Sequence, residues 1–476
     1  MALTIQQQPD IDLRIRPAYS DVIFIVGGGT LTGTFRHKYV AHIYMNNVEG
    51  DTPAYSNQNI VATLKAPANA SGFAVFNISN ILADNCGTDT LGIPSTLVPG
   101  KPEFESTFNN VGFDTTPHSI HQIDTFAGNR KNFRRFFVQF REEFATTSTG
   151  TAVIQNHIDS RIYSVTNAVE QLEDGFENFD FKTYIPNADT KQFLSTMPSS
   201  IDRKWRRGDF GVFSFFNGKF SLSNSITQSQ IVSVQFKLYD SSNTLLATVQ
   251  NNLFQAGIGG SSTVANAYLD FNNQLHDFNT VPAIVYAGTG FNNIELEHGV
   301  QNANTSYYTV TGISILSQPI TETYTVRLTD DDCKGFDTIR LAYVNSLGTW
   351  DYYNFYKKSI RTSQINKSYY NSNYGNYQGR NYNQSSAEGG KRALQTNVEE
   401  IIEANTDYIT EVEATALKEL FISPQVYMQV GTGTSVQFVP VCVEEREYIK
   451  QTSANDMLIQ YIIKVKKGHK TRVQNL

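Results

Sequence analysis

Residues 231–240 read IVSVQFKLYD, which sets Val232, Val234, Phe236 and Leu238 on one side of an extended chain and Ser233, Gln235 and Lys237 on the other. Successive strand side chains point to opposite faces, so this spacing describes a strand with one face on a core and the other in water. Ser241, Ser242 and Asn243 then supply a turn, and 244–249 a return strand. Comparable runs recur along the chain. They lie at 21–26 (DVIFIV), 38–45, 60–64, 73–76, 134–144, 161–165 and 209–216, the last followed by the turn pair Asn217-Gly218. Further runs lie at 283–286, 307–315, 321–328, 436–442 and 458–465. In 134–144, Phe136, Val138 and Phe140 share a face. Residues 337–344 and 349–356 form a hairpin across Asn345-Ser346-Leu347-Gly348.

Helical periodicity is scarce. Residues 77–84 (NISNILAD) make one helical turn. The spacing predicts a helix over 410–422, with Thr410 as cap, Glu413 closing a capping box, and Val412, Ala416, Leu417, Leu420 and Phe421 buried. From 359 to 390 the chain turns to Asn, Tyr, Ser and Gly, and without apolar periodicity it reads as a long loop. Tyr among small polar residues suits an adaptable contact surface. The expected fold is therefore mainly β: several antiparallel, sandwich-like domains, one short C-terminal helix and a Tyr/Asn-rich loop. The expected divisions are 1–217 (one or two sandwiches), 218–330, and 331–476, which contains loop 359–390 and helix 410–422.

Composition narrows the function. Only 17% of the 476 residues are charged while 12% are aromatic, a balance that suits surfaces covered by partner subunits. A net charge of −7 gives no global attraction to nucleic acid, and no direct nucleic-acid role is expected. The basic clusters Arg130, Lys131, Arg134, Arg135 and Arg203, Lys204, Arg206, Arg207 read as solvated strand ends or partner ion pairs. Cys86, Cys333 and Cys442 form no CxxC pair, so neither disulfides nor a thiolate metal site is indicated. The opening MALTIQQQPDIDLRIR has no apolar signal core, and no run reaches the ~20 apolar residues of a membrane span.

Apparent chemical motifs dissolve on inspection. Gly27, Gly29 and Gly33 follow a strand as in nucleotide-binding loops, but the next segment reads as another strand, not a phosphate-binding helix. A flexible hairpin loop is expected there. His118, His121 and Asp124 sit in a poor helix, and Asp330–Asp332 lack the spacing of a calcium loop. Arg207-Gly208-Asp209 spells an adhesion tripeptide but runs into a strand. No GxSxG or Cys/His signature appears. No enzymatic activity, catalytic residue, metal or cofactor is expected.

Several segments together carry a resemblance. RPAYSDVIFIV, FRHKYVAHIYMN and TLKAPANASGFAVFNISNIL near the N-terminus, and CKGFDTIRLAYVNSLGTWDYYNFYKKS later, resemble virion structural proteins of tailed bacteriophages. That group has an Arg-containing strand, an Asn-x-x-Gly turn and an aromatic return strand. TDYITEVEATALKELFISPQVYM and VPVCVEEREYIKQTSANDMLIQYIIKVKKG are similar to it as well. The resemblance covers the two ends well and the middle poorly. It implies a tail, neck or baseplate component, located in the virion, forming a homo-oligomeric ring with other virion proteins as neighbours. Trp350, Tyr352, Tyr353 and Phe355 are expected as core or interface anchors. Tyr369, Tyr370, Tyr374, Tyr377 and Tyr382 are expected on a contact arm. A receptor- or carbohydrate-binding tail fibre is the alternative, since Asn- and Tyr-rich loops suit sugars.

Overall fold

The computed structural model describes residues 2–9, 15–29, 33–45, 55–89, 120–122, 126–128, 132–170, 183–184, 191–216, 231–252, 254–255, 267–269, 275–277, 284–299, 303–314, 316–329, 336–384, 389–431, 436–445 and 459–471. The chain forms two compact units. One comprises Met1–Asp330 with Val344–Asp351, the other Asp331–Tyr343 with Tyr352–Leu476. The fold is mainly β, as the recurrent alternation requires.

The first unit opens with an antiparallel sheet ordered β1 (Leu3–Gln7), β3 (Ile23–Gly28), β6 (Phe73–Asn77). A larger sheet runs β2 (Ile15–Tyr19), β10 (Tyr163–Val169), β8 (Phe133–Ala145), β4 (Phe35–Met45), β5 (Ile60–Pro67), with β9 (Val153–Asp159) also on β8. Here β2 and β10 are parallel. One apolar core lies between the two sheets: Phe24 of β3 meets Phe140 of β8 at 5.5 Å and Tyr163 of β10 at 6.2 Å. Phe136, Val138 and Phe140 all face it, as their spacing predicts. Phe137 points the other way and stacks on Tyr44 at 4.7 Å. Burying one such ring contributes about 1.5–3 kcal/mol, so this core dominates local stability. Helix α1 (Ser79–Asn85) adds Leu82 to it, and the Ser79 hydroxyl accepts from Val22 N at 2.9 Å.

A five-stranded sheet follows, ordered β11 (Arg203–Trp205), β20 (Tyr324–Leu328), β19 (Tyr307–Ile313), β13 (Ser233–Tyr239), β14 (Leu245–Asn252). The alternation of β13 is realised in its centre, where Val234, Phe236 and Leu238 are fully buried and Lys237 is exposed. Ser233, expected in water, is buried, and its hydroxyl accepts from Gln250 Nε2 of β14, while Val232 is only half-buried. Its turn is tied by Asp240, whose carboxylate accepts from Ser242 N at 2.8 Å and Thr244 N at 2.7 Å. Two three-stranded sheets complete the unit. They are β12 (Val212–Phe216), β18 (Ile284–Gly288), β7 (Phe126–Gly128), and β15 (Phe254–Gln255), β16 (Ala267–Leu269), β17 (Leu275–Asp277). Two of these sheets draw strands from both sides of residue 217. Helix α2 (Phe291–His298) has no counterpart in the sequence reading; Gly299, at φ 61°, closes it.

The second unit is built on a seven-stranded sheet ordered β22 (Trp350–Phe355), β21 (Ile339–Val344), β27 (Val426–Val430), β28 (Gln437–Val443), β29 (Ile462–Lys467), β26 (Gly390–Asn405), β23 (Ile360–Ser372). The β21–β22 turn, Val344–Asp351, belongs to the first unit. Helix α3 (Glu411–Ile422) starts as predicted, with the Thr410 hydroxyl accepting from Glu413 N at 3.2 Å. Its buried residues are Ala414, Ala416, Leu417 and Leu420. Val412 is 54% exposed, against expectation, because the buried arc centres between Leu417 and Leu420 and passes it by.

Two further expectations are corrected. The 359–390 segment is mostly strand rather than loop: β23, then β24 (Gly375–Gln378) and β25 (Asn381–Gln384), then the start of β26. A ribbon wet on both faces has no apolar period to reveal it. The glycines after β3 do not close a hairpin, because β3 and β4 lie in different sheets. Gly29, at φ 81°, instead passes so close to buried Glu142 that a Cβ there would lie 1.7 Å from its carboxylate.

Gly348→Ala is expected to cost about 1–3 kcal/mol in urea unfolding. Gly348 sits at φ 79°, and an added Cβ would lie 2.3 Å from Asn167 O. Gly208→Ala, where nothing lies within 4 Å, is the control and should change stability by less than about 0.5 kcal/mol.

Candidate functional site

The Asn345–Gly348 turn is the centre of a buried polar network in the first unit. The Asn345 carboxamide oxygen accepts from Leu347 N at 3.1 Å and Thr349 N at 3.0 Å, which shapes the turn. Its Nδ2 donates to Leu194 O at 3.2 Å and to Asp351 Oδ2 at 2.9 Å. Asp351 also accepts from Ser195 Oγ at 2.5 Å and from Thr196 N at 3.0 Å. Arg203 donates to Ser195 Oγ at 2.9 Å and lies between the rings of Phe213 and Tyr324, 4.9 and 4.7 Å from their centroids. Gly348 O accepts from Asn132 Nδ2 at 2.7 Å, and Ser346 O from Val169 N at 2.8 Å.

None of these side chains reaches solvent: Asp351 is 3%, Ser195 6%, Arg203 3% and Asn345 4% exposed. Ser195 is paired with carboxylate, guanidinium and backbone rather than imidazole, so the cluster lacks the pairing that activates a serine. It specifies packing.

The four hairpin aromatics are core residues. Trp350 is 1% exposed and donates from Nε1 to Asp89 O at 2.6 Å, with His121 edge-on at 4.6 Å. Tyr352, Tyr353 and Phe355 are buried in the second unit. Arg340, fully buried, lays its guanidinium 4.6 Å from the Tyr352 ring centroid and donates to Asn354 Oδ1 at 2.8 Å. The Tyr353 hydroxyl donates to Glu413 at 3.0 Å; burial, then the Glu413 charge, pushes it well above the ordinary tyrosine range. These four are enclosed by their own chain, the core role of the two expected for them.

The tyrosine-rich segment does the opposite. β23 pairs with β26 from Ile360↔Glu403 to Ser372↔Gly390, with Leu394 bulged out opposite the Ser368–Tyr369 step. Twelve of the thirteen β23 residues are exposed, and β23 is the sheet's edge strand. At about 3.3 Å per residue this strand is about 40 Å long. β26 pairs with β29 only over Ile401–Asn405, so the ribbon further out is two strands wide. A tight hairpin of β24 and β25 extends it. Its turn is Gly379-Arg380, with Gly379 at φ 64° as a two-residue hairpin demands.

Tyr369 is 52%, Tyr370 39%, Tyr374 65% and Tyr382 45% exposed, with Ile365 at 56% and Leu394 at 60%. Tyr377 falls on β24, but its side chain lies outside the described residues. Tyr382 covers Gly375 of the facing strand, and Lys391 lies 4.4 Å from the Tyr369 ring centroid. At the base, Lys466 pairs with Glu399 at 2.5 Å and Lys467 with Glu400 at 2.7 Å. The Lys466 hydrogen bond holds the Glu399 carboxyl below its usual range. The arm is thus fixed at one end, with the β23 side exposed along its length.

The remaining sequence candidates divide. His121 is buried beside Trp350, whereas His118, Asp124, Asp330–Asp332, Cys333 and the Asn217-Gly218 turn lie outside the described residues. No cluster of three metal-ligating side chains occurs among the described residues. Asp209 of the adhesion tripeptide is fully buried and accepts from Arg206 N at 2.7 Å and Arg206 Nε at 3.1 Å. Arg203 is not a solvated strand end, because its guanidinium is held between two rings. Among the described residues no helix is long and apolar enough to cross a membrane. Sequence reasoning missed Asp351, Ser195 and Asn132, which no local motif marks, and the exposed edge of β23, which a tally of polar strand formers would have found. No protein-family model matches the chain, and no curated protein matches it significantly.

Two measurements follow. Joining Gln364 to Glu399 by Asn-Gly, which removes the outer arm, is expected to leave the thermal midpoint within about 2 °C of the parent, because the deleted strands bury little. Burial pushes the Cys86 thiol up to about 12, so at pH 8 only roughly one part in ten thousand is thiolate. Iodoacetamide on the native protein should modify exposed Cys442 and spare Cys86, read by peptide mass spectrometry.

Proposed function

We propose that this chain is a structural component of a tailed bacteriophage particle, assembling as a ring in the tail, neck or baseplate. The assembly part of this reading is carried by the arm: a long edge strand, exposed on both faces and studded with tyrosines. Unpaired strand edges template pairing with other chains, and soluble proteins normally blunt them. Here the edge is long, and its side chains are those that give contact area at low entropy cost. The phage part rests on the sequence resemblance of the two ends.

The resembling segments have physical reasons to be as they are. Arg340 is the arginine of the strand and stacks on Tyr352. Asn345 and Gly348 are the turn residues, one acting as a five-bond polar centre and the other needing both a positive φ and room against Asn167. Such a hairpin gives a stiff module, and stiff modules with two different contact surfaces form rings when the rotation closes.

Electron microscopy of the purified chain and of its source particle tests the reading. Rings, or density for this chain around the particle axis, are the expected result. A stable trimer that binds surface glycans would favour the tail-fibre alternative, with the arm tyrosines stacking on sugar faces.

A further inference from the structure

We propose that the outer arm of one copy docks on the outer face of α3 in a second copy, head to tail. This deepens the assembly reading above and rests on it. Two surfaces of the second unit expose apolar side chains in the single chain, and their chemistry is complementary. The first is the arm. Residues 364–398 hold Lys367, Arg380, Lys391 and Arg392 against one acid, Glu388, a net of +3. The whole chain is −7, so everything outside the arm sums to −10. The arm is therefore a cationic, tyrosine-bearing ribbon on an acidic protein.

The second surface is the side of α3 turned from its core. Val412 is 54% and Ile422 53% exposed, with exposed Thr415 between them and Tyr408, 61% exposed, just before the Thr410 cap. At 3.6 residues per turn, Val412, Thr415 and Ile422 fall on one side of the helix. Single exposed apolar residues are ordinary, but an aligned set on an amphipathic helix marks a contact face. On this side the helix carries Glu411 and Glu419 against Lys418, while Glu413 turns inward to Tyr353. It therefore matches the arm in sign as well as in apolar content.

The arm and the helix belong to the same chain, yet the side chains of both are exposed. A second copy brings them together without either leaving its place. The contact joins two different patches, so it is heterologous, and repetition gives a ring or an open filament. Opposite charge sets orientation and speeds encounter, while tyrosines against Val412 and Ile422 supply the apolar contact.

The test uses two full-length variants. One has the shortened arm, Gln364 joined to Glu399 by Asn-Gly. The other carries Val412→Lys with Ile422→Lys, both at exposed positions. Sedimentation velocity should find that the parent self-associates and that each variant alone loses association at least tenfold. Mixed in equal amounts, the variants should form a discrete heterodimer and nothing larger, because each keeps the half of the contact that the other lacks. The proposal is overturned if the lysine variant assembles like the parent, if the mixture yields no heterodimer, or if the parent stays monomeric at high micromolar concentration. Arm-dependent binding of a fluorescent DNA duplex without self-association would overturn it too, assigning the cationic ribbon to a polyanion. Rings that survive both variants would remove this contact and leave the phage-ring reading standing.

Discussion

The first unit depends on a carboxylate taken out of water. Asp351 is almost wholly buried, and such a charge is tolerated only when donors surround it. It has them from two stretches of chain: Asn345 six residues before it, and the neighbours Ser195 and Thr196 about 155 residues upstream. Removing one partner from such a cluster leaves the others unsatisfied, at about 1–3 kcal/mol for each neutral group and more for charge. The cluster therefore acts as a register key. Chain segments that failed to deliver these donors would leave a buried charge unmatched.

Much of the architecture was legible because its strands are half-buried. The strict alternation of 231–240 became β13, and Phe136, Val138 and Phe140 took one face of β8, since a core on one side imposes a period of two. The same logic explains the misses. The arm is wet on both faces, so its strands carry no period. Val412 shares the helical spacing of Ala416 and Leu420 but lies to one side of the buried arc. The sites were less legible than the fold. Trp350, Tyr352, Tyr353 and Phe355 advertise contact by their size, but sequence alone does not say whether the contact is internal. Asp351 and Ser195 meet only through tertiary folding, and neither stands in a pattern that names its partner.

The two kinds of aromatic residue have separate tasks. Those of the β21–β22 hairpin are enclosed and paired with polar groups of their own chain: Trp350 with Asp89, Tyr352 with Arg340, Tyr353 with Glu413. Those of the arm lie on a polar ribbon, where tyrosine keeps its hydroxyl in water while offering a flat apolar ring. A phenylalanine-lined arm of the same length would be an aggregation hazard in the free chain. Tyrosine, asparagine and lysine lessen that hazard by keeping polar groups along the ribbon.

The position of the 344–351 turn also bears on the order of synthesis. Residues 1–330 leave the ribosome first, and they contain Ser195, Thr196 and Arg203 but not Asp351. At about 5–20 residues per second, Asp351 follows residue 330 after roughly 1–4 s. For that interval the nascent first unit has a polar vacancy in its interior, and the short returning segment fills it. The last contribution to the larger unit is thus made by a stretch that also joins two neighbouring strands of the other.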